Sequence, residues 1–281
     1  MRAGHAGSGS EGGDMARSTT ILITGAGSGL GRGLALALGC EAGGVSRAAG
    51  RTHRHILATD CRPETAQETA STVRARGGSA AAYRLDVTSQ EDVRAFLAGI
   101  GDHPVDVLIN NAGVQHVAGL EEFAQEDWDR VVDVILRGTC LMTRAVLPRM
   151  RANGFGRIVN IGSIHSLVAS PYKSAYVAAK HALLGFAKVV ALETADVDIT
   201  INTICPAYIR TPLVDGQIAA QAQAGDMSEE EVIGKIMLQP MPKGRFITIE
   251  EVAAAVEFLM SDLARNITGQ TVTIDGGWTA R

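Results

Sequence analysis

The segment Thr24-Gly25-Ala26-Gly27-Ser28-Gly29-Leu30-Gly31 restricts what this chain can fold into more than any other stretch of it. An apolar run, Ile21-Leu22-Ile23-Thr24, leads into it, and helix-like periodicity over residues 30–38 follows. Glycines between a strand and a helix permit a tight turn and leave backbone N–H groups uncovered at the helix N-terminus. A pyrophosphate fits there, its charge against the positive end of the helix dipole. A merely structural turn would also carry several glycines, so the placement after the first strand is what points to a dinucleotide.

Strand-like and helix-like runs then alternate almost to the end. Strands are predicted at 21–24, 55–59, 80–84, 105–109, 157–161, 199–203 and 271–274, with helical periodicity clearest over 126–150, 174–194 and 249–260. Short apolar strands separated by helices imply a parallel sheet covered on both faces. Right-handed crossovers make this an α/β, doubly wound (Rossmann) seven-stranded sheet in a single domain over 20–281, with ligands outside the carboxyl ends of the strands. Residues 1–19, rich in Gly, Ser and Ala, are expected to be a disordered extension, with Met15 as a second candidate start. Residues 39–54 exceed the connection such a unit needs and predict a surface insertion. Residues 212–242 predict helices that close over substrate as a lid.

Composition narrows the function classes. A chain of 281 residues, 46% hydrophobic and 20% charged, is that of a globular domain. Its formal charge of −4 gives no reason to expect a nucleic acid or an anionic membrane as partner. No apolar run approaches the ~20 residues of a membrane span. Cys40, Cys61, Cys140 and Cys205 are scattered, with neither a C-x-x-C pair nor zinc-like histidine spacing. The expectation is therefore reduced thiols in a cytoplasmic protein without a metal site.

Two further features carry chemistry. Asp60 ends the second predicted strand, where a carboxylate would accept bonds from ribose hydroxyls and repel a 2′-phosphate, which favours NAD over NADP. Arg62 opposes that reading, and Asp60 as a helix N-cap ahead of Pro63 is the structural alternative. Tyr176 and Lys180, four apart, share one helix face. A nearby ammonium favours the phenolate, so Tyr176 can exchange a proton with a substrate hydroxyl. By itself the pair would also suit a solvated helix face.

These marks occur with Asn110-Asn111-Ala112-Gly113 after the fourth strand, Ser163 after the fifth, and Cys205-Pro206-Ala207 with Thr211 after the sixth. In that order they resemble the short-chain dehydrogenase/reductase family over essentially all of residues 20–281. The resemblance implies Ser163, Tyr176 and Lys180 as catalytic residues: the serine orients the substrate oxygen, and the lysine holds the nicotinamide ribose and tunes the tyrosine. It implies a cofactor site of Gly25, Ser28, Gly29, Leu30, Asp60, Asp86, Val87, Asn111, Ala112, Gly113, Tyr176, Lys180, Pro206, Ile209 and Thr211. It also implies a homotetramer.

Gln115, His165, Lys173 and Gln217, with the ending Asp275-Gly276-Gly277-Trp278, resemble the branch of that family formed by the bacterial D-3-hydroxybutyrate dehydrogenases. There the matching residues bind the substrate carboxylate beside Ser163 and Tyr176. A small anionic hydroxy or oxo acid needs a cation and several donors, which Lys and Gln supply. Three positions depart from the pattern. Ala207 stands for the usual glycine and Tyr208 for the usual tryptophan. Ile135 replaces an asparagine assigned to a proton relay behind the lysine, and it offers neither donor nor acceptor. The expected activity is reversible oxidation of (R)-3-hydroxybutyrate to acetoacetate with NAD. The alternatives are another hydroxy or oxo substrate, such as a 3-oxoacyl thioester or a polyol, and a cofactor-binding pseudoenzyme.

Overall fold

The structure, a computed structural model, describes residues 18–40, 53–225 and 227–280. The predicted extension up to residue 17, with Met15, and residues 41–52 of the predicted insertion lie outside the described residues. Seven strands are all parallel: β1 (Thr19–Thr24), β2 (Arg54–Asp60), β3 (Ser79–Arg84), β4 (Val107–Asn110), β5 (Phe155–Ile161), β6 (Asp198–Pro206) and β7 (Thr271–Ile274). Their spatial order is β3-β2-β1-β4-β5-β6-β7, so the winding reverses between β1 and β4. A crevice opens at such a reversal because the flanking connections leave in opposite directions.

β1, β4 and β5 are buried throughout, as strands covered on both faces must be. One apolar layer joins Ile21, Ile23, Leu34 and Leu38 to Val252 and Val256 of α9 (Ile249–Met260). The other face joins Leu22, Leu108 and Ile158 to Met142, Val146 and Met150. The remaining connections are α1 (Gly29–Gly39), α2 (Pro63–Ala75), α3 (Gln90–Gly99), α4 (Gln125–Val132), α5 (Gly138–Asn153), α6 (Ser174–Glu193), α7 (Pro212–Gly225) and α8 (Glu229–Val232).

Sequence and structure differ in several bounds: β5 begins at Phe155 rather than 157, and β6 runs to Pro206 rather than 203. β1 begins at Thr19, because residues 19 and 20 pair with Arg54 and His55. β4 is Val107–Asn110 rather than 105–109: Asp106 precedes it, with its carboxylate accepting from Thr20 N–H at 2.8 Å. The long helix expected over 126–150 contains a π-helical turn, Asp133–Arg137, between α4 and α5. Finally, α6 is by length and composition apolar enough to cross a membrane, at mean hydropathy 1.4. Lys180, His181 and Lys188 interrupt its apolar run in sequence; here the helix packs on β6 and α4, with Lys180 buried.

Candidate active site

The glycine turn folds as its spacing requires. Gly25 and Gly29 have φ of +64° and +52°, the left-handed region that favours glycine. A Cβ at Gly27 would lie 2.1 Å from Thr65 Oγ1 and 2.7 Å from Asp60 Oδ2, and one at Gly31 2.2 Å from the Gly25 carbonyl. The turn is tied down from β4: Asn111 Nδ2 donates to the carbonyls of Thr24 (2.9 Å) and Gly25 (3.1 Å). The N–H groups of Asn111 and Ala112 donate to Thr24 Oγ1 at 3.0 and 3.1 Å. Asp60 accepts from Gly27 N–H at 3.1 Å and Arg62 N–H at 3.0 Å, with the Arg62 Nε 3.7 Å away. Arg62, not Asp60, is the N-cap of α2, which removes the N-cap reading of Asp60. Asp86 accepts from the N–H and hydroxyl of Thr88.

Across the crevice, Ser163 caps a short 3₁₀ turn, Ile164–Ser166, its hydroxyl accepting from His165 N–H at 3.1 Å. Lys180 Nζ donates to the Ile161 carbonyl at 2.6 Å, and its ammonium lies 5.6 Å from the Tyr176 ring centroid. Burial lowers the Lys180 pKa to about 8. Burial raises that of Tyr176, and its interaction with the Ser163 hydroxyl works the other way. His165, buried and next to Lys173 and His181, is lowered to about 4, and its Nε2 pairs with Ser170 Oγ at 2.8 Å. Lys173, 5% exposed, is lowered by burial. Gln217 of α7 donates to Gln115 Oε1 at 2.6 Å, while Gln115 Nε2 is buried without a partner.

Every residue expected at the site lines one cavity of about 1050 Å³. Gly25, Ser28, Gly29, Leu30, Asp60, Asp86 and Val87 stand at one end. Asn111, Ala112, Gly113, Pro206, Ile209 and Thr211 lie between, and Gln115, Ser163, His165, Lys173, Tyr176, Lys180 and Gln217 meet at the other. Ile135 is 1% exposed and packs with Val131, Ala175, Ala179 and Leu183, behind the helix face that carries Tyr176. Trp278, noted in the sequence only as part of an ending motif, packs on Tyr208 and His165 at ring distances of 5.9 and 6.1 Å. Its signal was the C-terminal D-G-G-W, which says nothing of where the indole goes. Among the described residues no His, Cys, Asp and Glu group is arranged to hold a metal ion.

A parallel sheet with a glycine cradle at its switch point, facing a serine, a tyrosine and a lysine across one cavity, defines a nucleotide-binding oxidoreductase. A family profile described as Enoyl-(Acyl carrier protein) reductase matches residues 29–279. The chain belongs to the short-chain dehydrogenase/reductase family, whose members bind a nicotinamide cofactor. It is 46% identical over 206 residues to a D-beta-hydroxybutyrate dehydrogenase of Rhizobium meliloti (strain 1021), covering 73% of this chain and 80% of that one. It is 37% identical over 269 residues to a D-beta-hydroxybutyrate dehydrogenase of Cupriavidus necator, covering 95% of this chain and all of that one. A crystal structure of an actinorhodin polyketide ketoreductase variant with NADPH superposes with a TM-score of 0.84 at 32% identity, covering 94% of this chain and 98% of that one.

Proposed function

We propose that this oxidoreductase interconverts (R)-3-hydroxybutyrate and acetoacetate with NAD. The observation that carries the reading is Lys173: a buried ammonium on the cavity wall, without a carboxylate partner among the described residues, beside Gln115, His165 and Gln217. A cation kept out of water without a counter-ion is costly, and a small carboxylate would offset that cost. The similarity to the two hydroxybutyrate dehydrogenases supports the same substrate class.

The cradle fits a dinucleotide: Gly25 and Gly29, which line the cavity at the start of α1, hold left-handed backbone that a side chain would strain. Gly25, Ser28, Gly29 and Leu30 would hold the pyrophosphate, Asp60 the adenosine ribose, and Lys180 the nicotinamide ribose. When bound, the cofactor supplies a hydride acceptor or donor. In oxidation, Tyr176 as phenolate takes the substrate hydroxyl proton, and Ser163 orients that hydroxyl. The Lys180 ammonium favours the phenolate against the cost of burying it. Gln115, His165, Lys173 and Gln217 hold the carboxylate. The Gln217–Gln115 bond supports a lid built on α7, which would show as slowed hydrogen exchange there when NAD and substrate are added.

NAD reduction across a panel of 3-hydroxy acids, polyols and thioesters tests the proposal, with (R)-3-hydroxybutyrate expected to give the highest kcat/KM. NADH formation with any of them removes the pseudoenzyme alternative. Tighter saturation by NADPH than by NADH would overturn the role given to Asp60. The ketoreductase likeness favours a second reading, a 3-oxoacyl thioester substrate. Such a substrate does not need Lys173, so a Lys173→Ala variant that retains 3-hydroxybutyrate kinetics would favour it.

A further inference from the structure

Two lysines in the cavity stand over tyrosine rings, each ammonium 5.6 Å from a centroid: Lys180 over Tyr176 and Lys173 over Tyr208. The first pair has a further anchor, the Ile161 carbonyl. Lys173 has no such bond and no ion pair among the described residues, although it is 5% exposed. An aromatic face attracts an ammonium through its quadrupole, and more strongly where water is excluded.

The Tyr208 ring is held so that its face stays available. Its backbone carbonyl accepts from Ile247 N–H at 2.9 Å, and Ile209 forms a bridge with Ile247, which fixes the chain at this point. The ring then lies against Trp278, tilted by 32° at 5.9 Å, with the His165 ring 6.5 Å away. Among the described residues, no side-chain acceptor competes for the ammonium.

We propose that Tyr208 is a positioning residue: its ring face holds the Lys173 ammonium at the cavity wall, in the place a counter-ion would otherwise take. The inference rests on the reading of Lys173 as the carboxylate anchor. Because the face and not the hydroxyl acts, the departure from tryptophan at this position preserves the function. Aromatic substitutes should serve and aliphatic ones should not.

The test uses the full chain with NADH and two substrates, acetoacetate and its uncharged methyl ester. Tyr208→Leu should raise the acetoacetate KM about thirtyfold, the size of a desolvated cation–π contact, with little change in kcat or in the ester's KM. Tyr208→Phe and Tyr208→Trp should recover most of that loss. In a Lys173→Ala background the Tyr208→Leu penalty should vanish, since the two residues act as a unit. Equal losses in the Leu and Phe variants, an equal effect on the ester, or a penalty that persists without Lys173 would each overturn the inference. If Lys173→Ala leaves the acetoacetate KM unchanged, the carboxylate-anchor reading fails and this inference falls with it. Sensitivity to Lys173 without sensitivity to Tyr208 removes this inference alone.

Discussion

The two ends of the cavity differ in how completely their polar groups are bonded into the fold. At the nucleotide end, polar side chains are bonded into the fold: Asp60 to two backbone N–H groups, Asn111 to two carbonyls, Asp86 to Thr88. At the substrate end His165, Lys180 and Gln217 are bonded, but Gln115 Nε2 is buried without a partner and Lys173 rests against a ring. Buried polar groups bonded to one another rigidify a site, whereas unbonded ones raise the cost of the folded state. The contrast teaches that one end is shaped as part of the fold and the other carries its binding groups at the expense of stability.

Removing a reacting group should have the largest effect. Tyr176→Phe should lower kcat about 10²–10⁴-fold, with a far smaller change in dinucleotide affinity and in melting temperature. A large loss of cofactor binding in that variant would show that the two ends are not separable.

Acid should act on the substrate end through His165. Its pKa is about 4 in the fold against 6.5 in the unfolded chain, so between those values the unfolded chain binds the extra proton and stability falls as pH drops. Roughly 3 kcal/mol should be lost between pH 6.5 and 4. Urea titrations at both pH values would read it, and His165→Asn should remove that part of the acid sensitivity. An unchanged acid response in the variant would place the sensitivity elsewhere.

Paired substitutions sharpen the comparison further. Gly27→Ala forces a Cβ against Thr65 and Asp60 and should cost about 1–3 kcal/mol of stability together with dinucleotide affinity. Gln115→Ala deletes an unpartnered buried donor but also the acceptor of Gln217 Nε2, so it should lower the melting temperature less than Gly27→Ala does while weakening substrate binding. A Gln115→Ala variant that melts as early as Gly27→Ala would end the distinction. The smallest gain is expected at Ile135→Asn, which should raise the hydride-transfer rate modestly and destabilise by about 1–3 kcal/mol, because it buries an amide in an apolar cluster. Stopped-flow transients and thermal melts measure the two effects separately.

The fold was legible because its signals are local. The central strands β1, β4 and β5 carry short apolar runs, and the Gly25 and Gly29 positions need conformations that only glycine takes easily. One boundary differs where a side chain settles the matter, at Asp106, whose bond to Thr20 lies just ahead of β4. The π turn at Asp133–Arg137 left no mark, because one added residue per turn scarcely alters helical periodicity. At the site, Tyr176 and Lys180 were readable from four-residue spacing. The Gln115–Gln217 bond, spanning 102 residues, and the grouping of His165, Tyr208 and Trp278 are products of tertiary structure that no spacing encodes. Motif resemblance named those residues, but neither the place of the indole nor the cation over the phenol ring.

The Asp60–Gly27 bond has a consequence for how such a protein can diversify. The carboxylate that would choose between two dinucleotides also braces the turn that grips either of them. A substitution at residue 60 that welcomed a phosphate would strip the Gly27 and Arg62 amides of their acceptor at the same moment. Cofactor preference and turn integrity are thus inherited as one trait, and a lineage changing the first must supply new acceptors for those amides before the change is tolerated. Arg62, already beside the carboxylate and 61% exposed, is the position from which such a history would begin.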